Sequence, residues 1–301
     1  MRLAVTGGTG FIGSHLIDVA VAAGHQLKAL TRRDQPRRDG VEWIRGDLHD
    51  RGALEKLVSG ADAVVHVAGV ITATTAAAFD RGNVEGTLAM LAAATAGGIH
   101  RFVHLSSLAA REPNLSLYGA SKARAEELVH SSGLDWAIVR PPAVYGPGDK
   151  ETLELFRMAK LGVMLMPPKG RVSIIHVDDL CRLLLSLVAP DAPSGLLVEP
   201  DDGKHDGWTH REFAAALGDA VGTRPTILSS PGIVLRLAAR ADQLLRREKA
   251  KLTVDRAAYF SHRNWVVEPK RAAPRGLWHP SIPTNEGLRQ TADWYRAEGW
   301  L

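Results

Sequence analysis

The most constraining feature of this chain is a turn near its start. A β-rich run, RLAVT at 2–6, leads directly into Gly7, Gly8, Gly10 and Gly13, and an amphipathic helical pattern follows over 11–23. Glycines at such a turn permit backbone angles that other residues resist. Without side chains, the main chain is open to close approach by a diphosphate, and the amides opening the helix face its negative charge. The strand before and the helix after make a bound dinucleotide the better reading than a bare turn.

The rest of the first half repeats the unit. Strand patterns fall at 26–31, 41–45, 62–67, 100–105 and 134–140, and helical periods lie at 50–59, 80–97 and 115–132. Repeated strand–helix–strand units predict an α/β fold, a doubly wound parallel sheet with helices on both faces. After Pro141-Pro142 the rhythm changes. Helices are expected at 151–161, 178–189, 209–221, 232–250 and 285–297, with short strands near 173–177, 195–199 and 225–229. This predicts a nucleotide domain over 1–150 and a smaller, mostly helical substrate lobe over 151–301, of which about 173–200 returns to the main sheet. With 301 residues, 45% of them hydrophobic, the chain can bury a full core. A net charge of +4, spread along the chain, suits an anionic cofactor and is too weak for a nucleic-acid footprint. One cysteine, Cys181, excludes an intrachain disulfide framework. The histidines show no metal-ligand spacing, so no metal is expected. No signal peptide or spanning segment is read, which leads to the expectation of a cytoplasmic protein.

The GxxGxxG spacing and the words TGGTGFIG resemble the extended branch of the short-chain dehydrogenase/reductase family. The resemblance continues through Gly46-Asp47-Leu48, the run from Asp62 to Gly69, Asn83-Val-Glu-Gly-Thr87, the run from Arg140 to Pro147, His176-Val-Asp-Asp-Leu180 and the helix from Gly287 to Tyr295. It implies a Rossmann-like fold and an NAD(P)-dependent oxidoreductase. It also implies that Gly7, Thr9, Gly10, Phe11, Ile12 and Gly13 hold the diphosphate. Asp47 and Leu48 would bind adenine, Val67, Ala68 and Gly69 would lie beneath the cofactor, and Pro141, Ala143 and Val144 would stand beside the nicotinamide.

Tyr118 and Lys122, in YGASK, share a helix face if that segment is helical. A phenol with a pKa of about 10 is a poor acid or base at neutral pH, and a neighbouring ammonium should lower it. The resemblance implies that Ser107 orients a substrate oxygen, Tyr118 passes the proton, Lys122 holds the ribose and tunes Tyr118, and Asn83 supports a relay. Ser106 is the alternative serine. At the end of the second strand an NAD-selecting site places a carboxylate about 20 residues past the glycines. Here Thr31 is followed by Arg32 and Arg33, and Asp34 comes only after them. Guanidinium groups grip a 2′-phosphate, so NADP(H) is favoured over NAD(H).

Two departures weaken a nucleotide-sugar reading. The stretch between Ser107 and Tyr118, LAAREPNLSL, is compact, and the RDF usual before Val177-Asp178-Asp179 is replaced by Arg171-Val-Ser-Ile-Ile. The apolar run Leu161–Pro168 either lines a substrate cleft or packs in the core. The basic amphipathic stretch 232–251 either lies on an anionic membrane surface or docks on its own domain. The expectation is a ketone–alcohol oxidoreductase for a small lipophilic molecule, in outline similar to bacterial reductases of 3-keto-ceramide-type lipids, either free in the cytoplasm or peripheral at the inner face of a membrane. The alternatives are a nucleotide-sugar epimerase or dehydratase with retained cofactor and a non-catalytic NADP(H)-binding subunit. The oligomeric state is left open.

Overall fold

A computed structural model describes residues 1–167, 169–229, 258–259 and 262–301. Strands β1 (Arg2–Thr6), β2 (Gln26–Thr31), β3 (Val41–Arg45), β4 (Ala63–His66), β5 (Arg101–Leu105) and β6 (Asp135–Val139) lie within a residue or two of their expected places. With β11 (Leu196–Val198) they form one seven-stranded sheet in the order β3-β2-β1-β4-β5-β6-β11, and every pairing is parallel. This is the doubly wound, Rossmann-like arrangement. The chain moves outward from β1 on one side and from β4 on the other, so the crevice at their carboxyl ends is the topological switch point.

Helices α1 (Phe11–Ala22), α2 (Arg51–Val58), α4 (Gly86–Ala96) and α5 (Leu117–His130) join these strands. Local chemistry sets their starts. Asp50 accepts from the Ala53 amide at 3.0 Å to cap α2, and Ser116 accepts from Gly119 at 2.9 Å to cap α5. The expected helix at 80–97 is two pieces, a π-helical turn Asp80–Glu85 and α4, and a short α3 (Ala76–Phe79) precedes them. The sheet is buried on both faces, through Leu3, Val65 and Val103 on one and, on the other, through Ala4, Val64, Phe102 and Ile138, which share a continuous core with Met90.

By internal contacts the chain divides into two units. The first comprises Met1–Pro141, Leu180–Pro200 and Lys270–His279; the second comprises Pro142–Asp179, Asp201–Pro269 and Pro280–Leu301. The break therefore falls at Pro141, where β6 has ended, earlier than the expected 150. The returning piece begins at Leu180, inside α7 (Val177–Ser186), because the strand pair expected to return, β9 (Arg171–Val172) and β10 (Ile174–His176), stays in the second unit.

The second unit packs α6 (Leu153–Lys160), α8 (His210–Val221) and α9 (Thr284–Ala297) around Phe156, Met164, Leu217 and Tyr295. It also holds three small sheets. β7 (Ala143–Tyr145) pairs with β10, β8 (Val163–Met166) with β13 (Thr226–Ser229), and β9 with both β12 (Trp208–Thr209) and β14 (Asn264–Trp265). Strands of two to four residues are too short for an alternation to show in sequence, and β7, β8, β12 and β14 were not expected. The stretch 232–251 lies outside the described residues. Among those described, no helix is long and apolar enough to cross a membrane, and no group of side chains could hold a metal ion.

Candidate active site

The glycine turn is built for close approach. Gly7 has φ of +74°, and a Cβ there would lie 2.7 Å from the Ala68 amide nitrogen on the β4 loop. A Cβ on Gly13 would fall 2.0 Å from the Gly7 carbonyl oxygen. Gly10 differs, because its Cβ would meet only the Gly7 oxygen, at 3.3 Å. Gly10 is exposed and precedes α1 with no side chain capping the helix. Gly7 and Gly13 thus let the turn exist, and Gly10 leaves space and uncapped amides above it. That is the cradle a diphosphate requires, and the residues fit a dinucleotide. Thr9 is exposed; Phe11 and Ile12 are half-buried at the start of α1.

A chain of buried polar groups holds this cradle. Thr87 donates to the Asn83 carbonyl at 2.6 Å, so toward His66 Nε2, 3.2 Å away, it accepts. His66 therefore carries its proton on Nε2, and Nδ1 accepts from the Thr6 hydroxyl at 2.8 Å. The Thr6 oxygen in turn accepts from the Ala68 amide at 3.2 Å. One neutral imidazole so joins the end of β1, the β4 loop and α4. Burial, with the Lys122 charge adding, pushes its pKa down to about 3. His104 stacks on it at 5.4 Å and is held neutral by burial first, with the Lys122 charge and His66 itself adding.

Arg32 and Arg33 are exposed at the end of β2. Asp34 is turned to Arg45 at 2.6 Å, and no described carboxylate pairs with Arg32 or Arg33. Asp47 is exposed after β3 and accepts from the His49 amide at 2.8 Å, while Leu48 packs over Gly86. Val67 and Ala68 are half-buried and Gly69 is exposed. A Cβ on Gly69 would lie 3.8 Å from Lys122 Nζ. Pro141 accepts from the Leu108 amide at 2.9 Å. Ala143 and Val144 lie in β7 of the second unit.

Tyr118 and Lys122 sit on one face of α5. Lys122 is buried and donates to the Leu105 carbonyl at 2.7 Å, and burial pushes its pKa down to about 8, opposed by the Glu126 carboxylate. Tyr118 is half-buried, its ring against Phe79 at 6.0 Å, and its hydroxyl is hydrogen-bonded to Ser107. Burial raises the Tyr118 pKa above its ordinary value, and the Ser107 bond works against this. The expected lowering by Lys122 does not figure among the causes: burial raises the pKa, Ser107 alone opposes it, and the phenol is held protonated, the state of a proton donor.

The two serines part company. Ser107 faces Tyr118, whereas Ser106 donates to the Glu126 carboxylate. Adjacent residues of an extended segment point to opposite sides, so only one can reach the phenol. Asn83, in the π-helical turn, binds Val70 on both its amide and its carbonyl, at 2.6 and 2.9 Å, and donates to Ser121 at 2.9 Å. Both of its N–H groups are used, so it braces the β4 loop against α5, and among the described residues it makes no bond to Tyr118 or Lys122. Sequence reasoning gave no part to His66, Glu126 or Arg140. Glu126 carried a signal, since it continues the spacing of Tyr118 and Lys122 by one further helical turn.

Comparison with known proteins gives the family and the fold. The chain is 39% identical over 310 aligned positions to a ceramide reductase of Caulobacter vibrioides, covering 99% of this chain and 96% of that one. It is 31% identical to 4-hydroxy-2-methyl-3-oxo-4-farnesyl-3,4-dihydroquinoline-1-oxide ketoreductase of Stigmatella aurantiaca, covering 82% and 81%. Among solved structures, the dTDP-glucose 4,6-dehydratase DesIV of Streptomyces venezuelae, with NAD and TYD bound, superposes with a TM-score of 0.73 at 24% identity over 100% and 98% of the two chains. At that identity it attests the fold alone. Residues 3–195 match the model of the NAD dependent epimerase/dehydratase family. The chain belongs to that family and is an NAD(P)-dependent enzyme of the oxidoreductase type.

Proposed function

We propose that this enzyme reduces a ketone on a lipophilic substrate to the secondary alcohol with NADPH, and that the substrate is a 3-keto-ceramide-type lipid. The observation that carries the reading is the phenol of Tyr118, kept protonated by burial and hydrogen-bonded to Ser107 at the sheet edge that carries the glycine cradle. A protonated phenol is what a carbonyl oxygen needs as it gains negative charge. The ceramide reductase and ketoreductase names of the two relatives support the substrate class. So does an apolar face on β8 and β13, where Val163, Leu165 and Leu228 are exposed, with Leu161 exposed at the end of α6. Met164 and Met166 of the same run are buried in the core, so the run Leu161–Pro168 is not apolar wall along its whole length. Arg32 and Arg33, which pair with no described carboxylate, support the extra phosphate of NADP(H).

Gly7, Gly10 and Gly13 would hold the diphosphate, and Arg32 and Arg33 the 2′-phosphate. NADPH, when bound, would supply the hydride that the carbonyl carbon requires. Ser107 and Tyr118 orient the carbonyl oxygen, and Tyr118 gives it the proton. Lys122, fixed on the Leu105 carbonyl, stabilises the phenolate left behind, and solvent returns the proton.

The test is NADPH oxidation against N-acyl 3-ketosphinganines of rising chain length, with UDP- and dTDP-sugars alongside. Each buried methylene adds about 0.8 kcal/mol, so kcat/KM should rise about fourfold per methylene until the chain outgrows its site. Tyr118→Phe should lose about 10²–10⁴ in kcat and keep its NADPH affinity. A flat series, or turnover of a sugar nucleotide without net NADPH loss, would replace this reading with the epimerase/dehydratase one.

A further inference from the structure

Behind the serine pair lies a set of charged side chains that no step above uses. Glu126 stands one helical turn beyond Lys122 on α5 and is almost wholly buried, its side chain 4% exposed. It accepts from Ser106 and from Arg140, whose Nε and Nη2 reach its two oxygens at 2.9 and 2.5 Å. Arg140 also lies 3.5 Å from Glu199, whose side chain is fully buried, and Glu199 lies 3.5 Å from Arg111. Two carboxylates and two guanidinium groups balance in charge. Together they join α5, the end of β6, the residue after β11 and the 3₁₀ turn Leu108–Arg111 that begins at Ser107. Desolvating four charges is costly, and an apolar set of equal volume would hold the fold as well. Placement is what the charges add. The segment between them and Tyr118 is Ser106-Ser107, also pinned by the Ser106 amide to the Val139 carbonyl at 2.7 Å and the Leu108 amide to the Pro141 carbonyl at 2.9 Å.

We infer that Glu126 is a positioning residue: by gripping Ser106, and itself gripped by Arg140, it aims the Ser107 hydroxyl at Tyr118, and its charge keeps Lys122 an ammonium. The inference rests on Ser107, Tyr118 and Lys122 being the reacting set. Three other titratable groups belong to the surroundings of Lys122. Tyr118 lies on its own helix, and the Lys122 charge reaches His66 on β4 and His104 on β5; all three are neutral in the working range. Arg140, at the end of β6, is engaged by Glu126. That leaves Glu126 as the anion that supports the Lys122 charge, in keeping with its upward pull on the Lys122 pKa.

Glu126→Gln removes the charge and leaves an oxygen for Ser106. The Lys122 midpoint, followed by NMR of Cε-labelled lysine and assigned with Lys122→Arg, should fall by about one pH unit. With NADPH and an N-acyl 3-ketosphinganine, kcat should fall tenfold to about a hundredfold, the KM for NADPH staying unchanged. The double variant Glu126→Gln/Arg140→Gln removes one charge of each sign. It should recover Tm, while kcat and the Lys122 midpoint stay low, and it carries the test if the single variant does not fold. An unmoved midpoint, or a kcat that returns together with Tm, would reduce the four charges to a structural brace and overturn the inference. If wild type turns over no ketone, the functional reading fails, and the NMR titration still decides the role of Glu126.

Discussion

Acid should loosen the cofactor cradle through a single side chain. His66 is completely buried and links Thr6, Ala68 and Thr87 as a neutral ring. Its pKa falls from 6.5 in the unfolded chain to about 3 in the fold. Below pH 6.5 the unfolded chain takes up a proton that the folded chain refuses. The contribution of His66 is therefore complete above pH 6.5 and drains away as pH falls toward 3. Linkage puts the loss at about 2 kcal/mol by pH 5 and about 3 kcal/mol by pH 4, out of a total of about 5 kcal/mol. His104 acts in the same direction. His66→Asn removes the titrating ring. At pH 8 the variant should be less stable by about 1–3 kcal/mol, the cost of buried partners left unpaired. Urea unfolding at pH 8, 6, 5 and 4, followed by tryptophan fluorescence, gives the difference between variant and wild type, from which carboxylates common to both cancel. The gap should narrow by about 2 kcal/mol between pH 8 and 5. Parallel losses in the two proteins would refute a neutral, pinned His66.

Two further outcomes follow from the cradle. Gly13→Ala places a Cβ 2.0 Å from the Gly7 oxygen, so it should cost about 1–3 kcal/mol of stability and abolish NADPH binding by fluorescence titration. Gly10→Ala, whose Cβ meets only the Gly7 oxygen at 3.3 Å, should keep its Tm and lose affinity for NADPH; a variant that binds normally would place the diphosphate elsewhere. Arg32→Ala/Arg33→Ala should weaken NADPH at least tenfold while sparing NADH, since a charge-assisted contact contributes about 1.5–3 kcal/mol. Equal losses for both cofactors in calorimetry would reject the phosphate role.

Sequence alone determined what rests on neighbours along the chain. The strands of the main sheet, the glycine turn and the Tyr118–Lys122 face are local patterns, because a strand period, a turn and a helical i, i+4 spacing each involve only a few consecutive residues. The tertiary structure decided the remainder. Ser106 and Ser107 are alike as letters; they differ because Glu126 waits on one side of the strand and Tyr118 on the other. Asn83 is a brace because the π-helical turn carries its amide to Val70 and Ser121. Tyr118 and Lys122 are neighbours by spacing, yet burial, which spacing does not measure, keeps the phenol protonated. Arg111, Glu126, Arg140 and Glu199 meet only once the order of β5, β6 and β11 is set. In the run 161–168, alternation shows that Met164 and Met166 share one face and Val163 and Leu165 the other. Which face is covered depends on what packs against it, and here α6 and α8 belong to the core that buries the methionines.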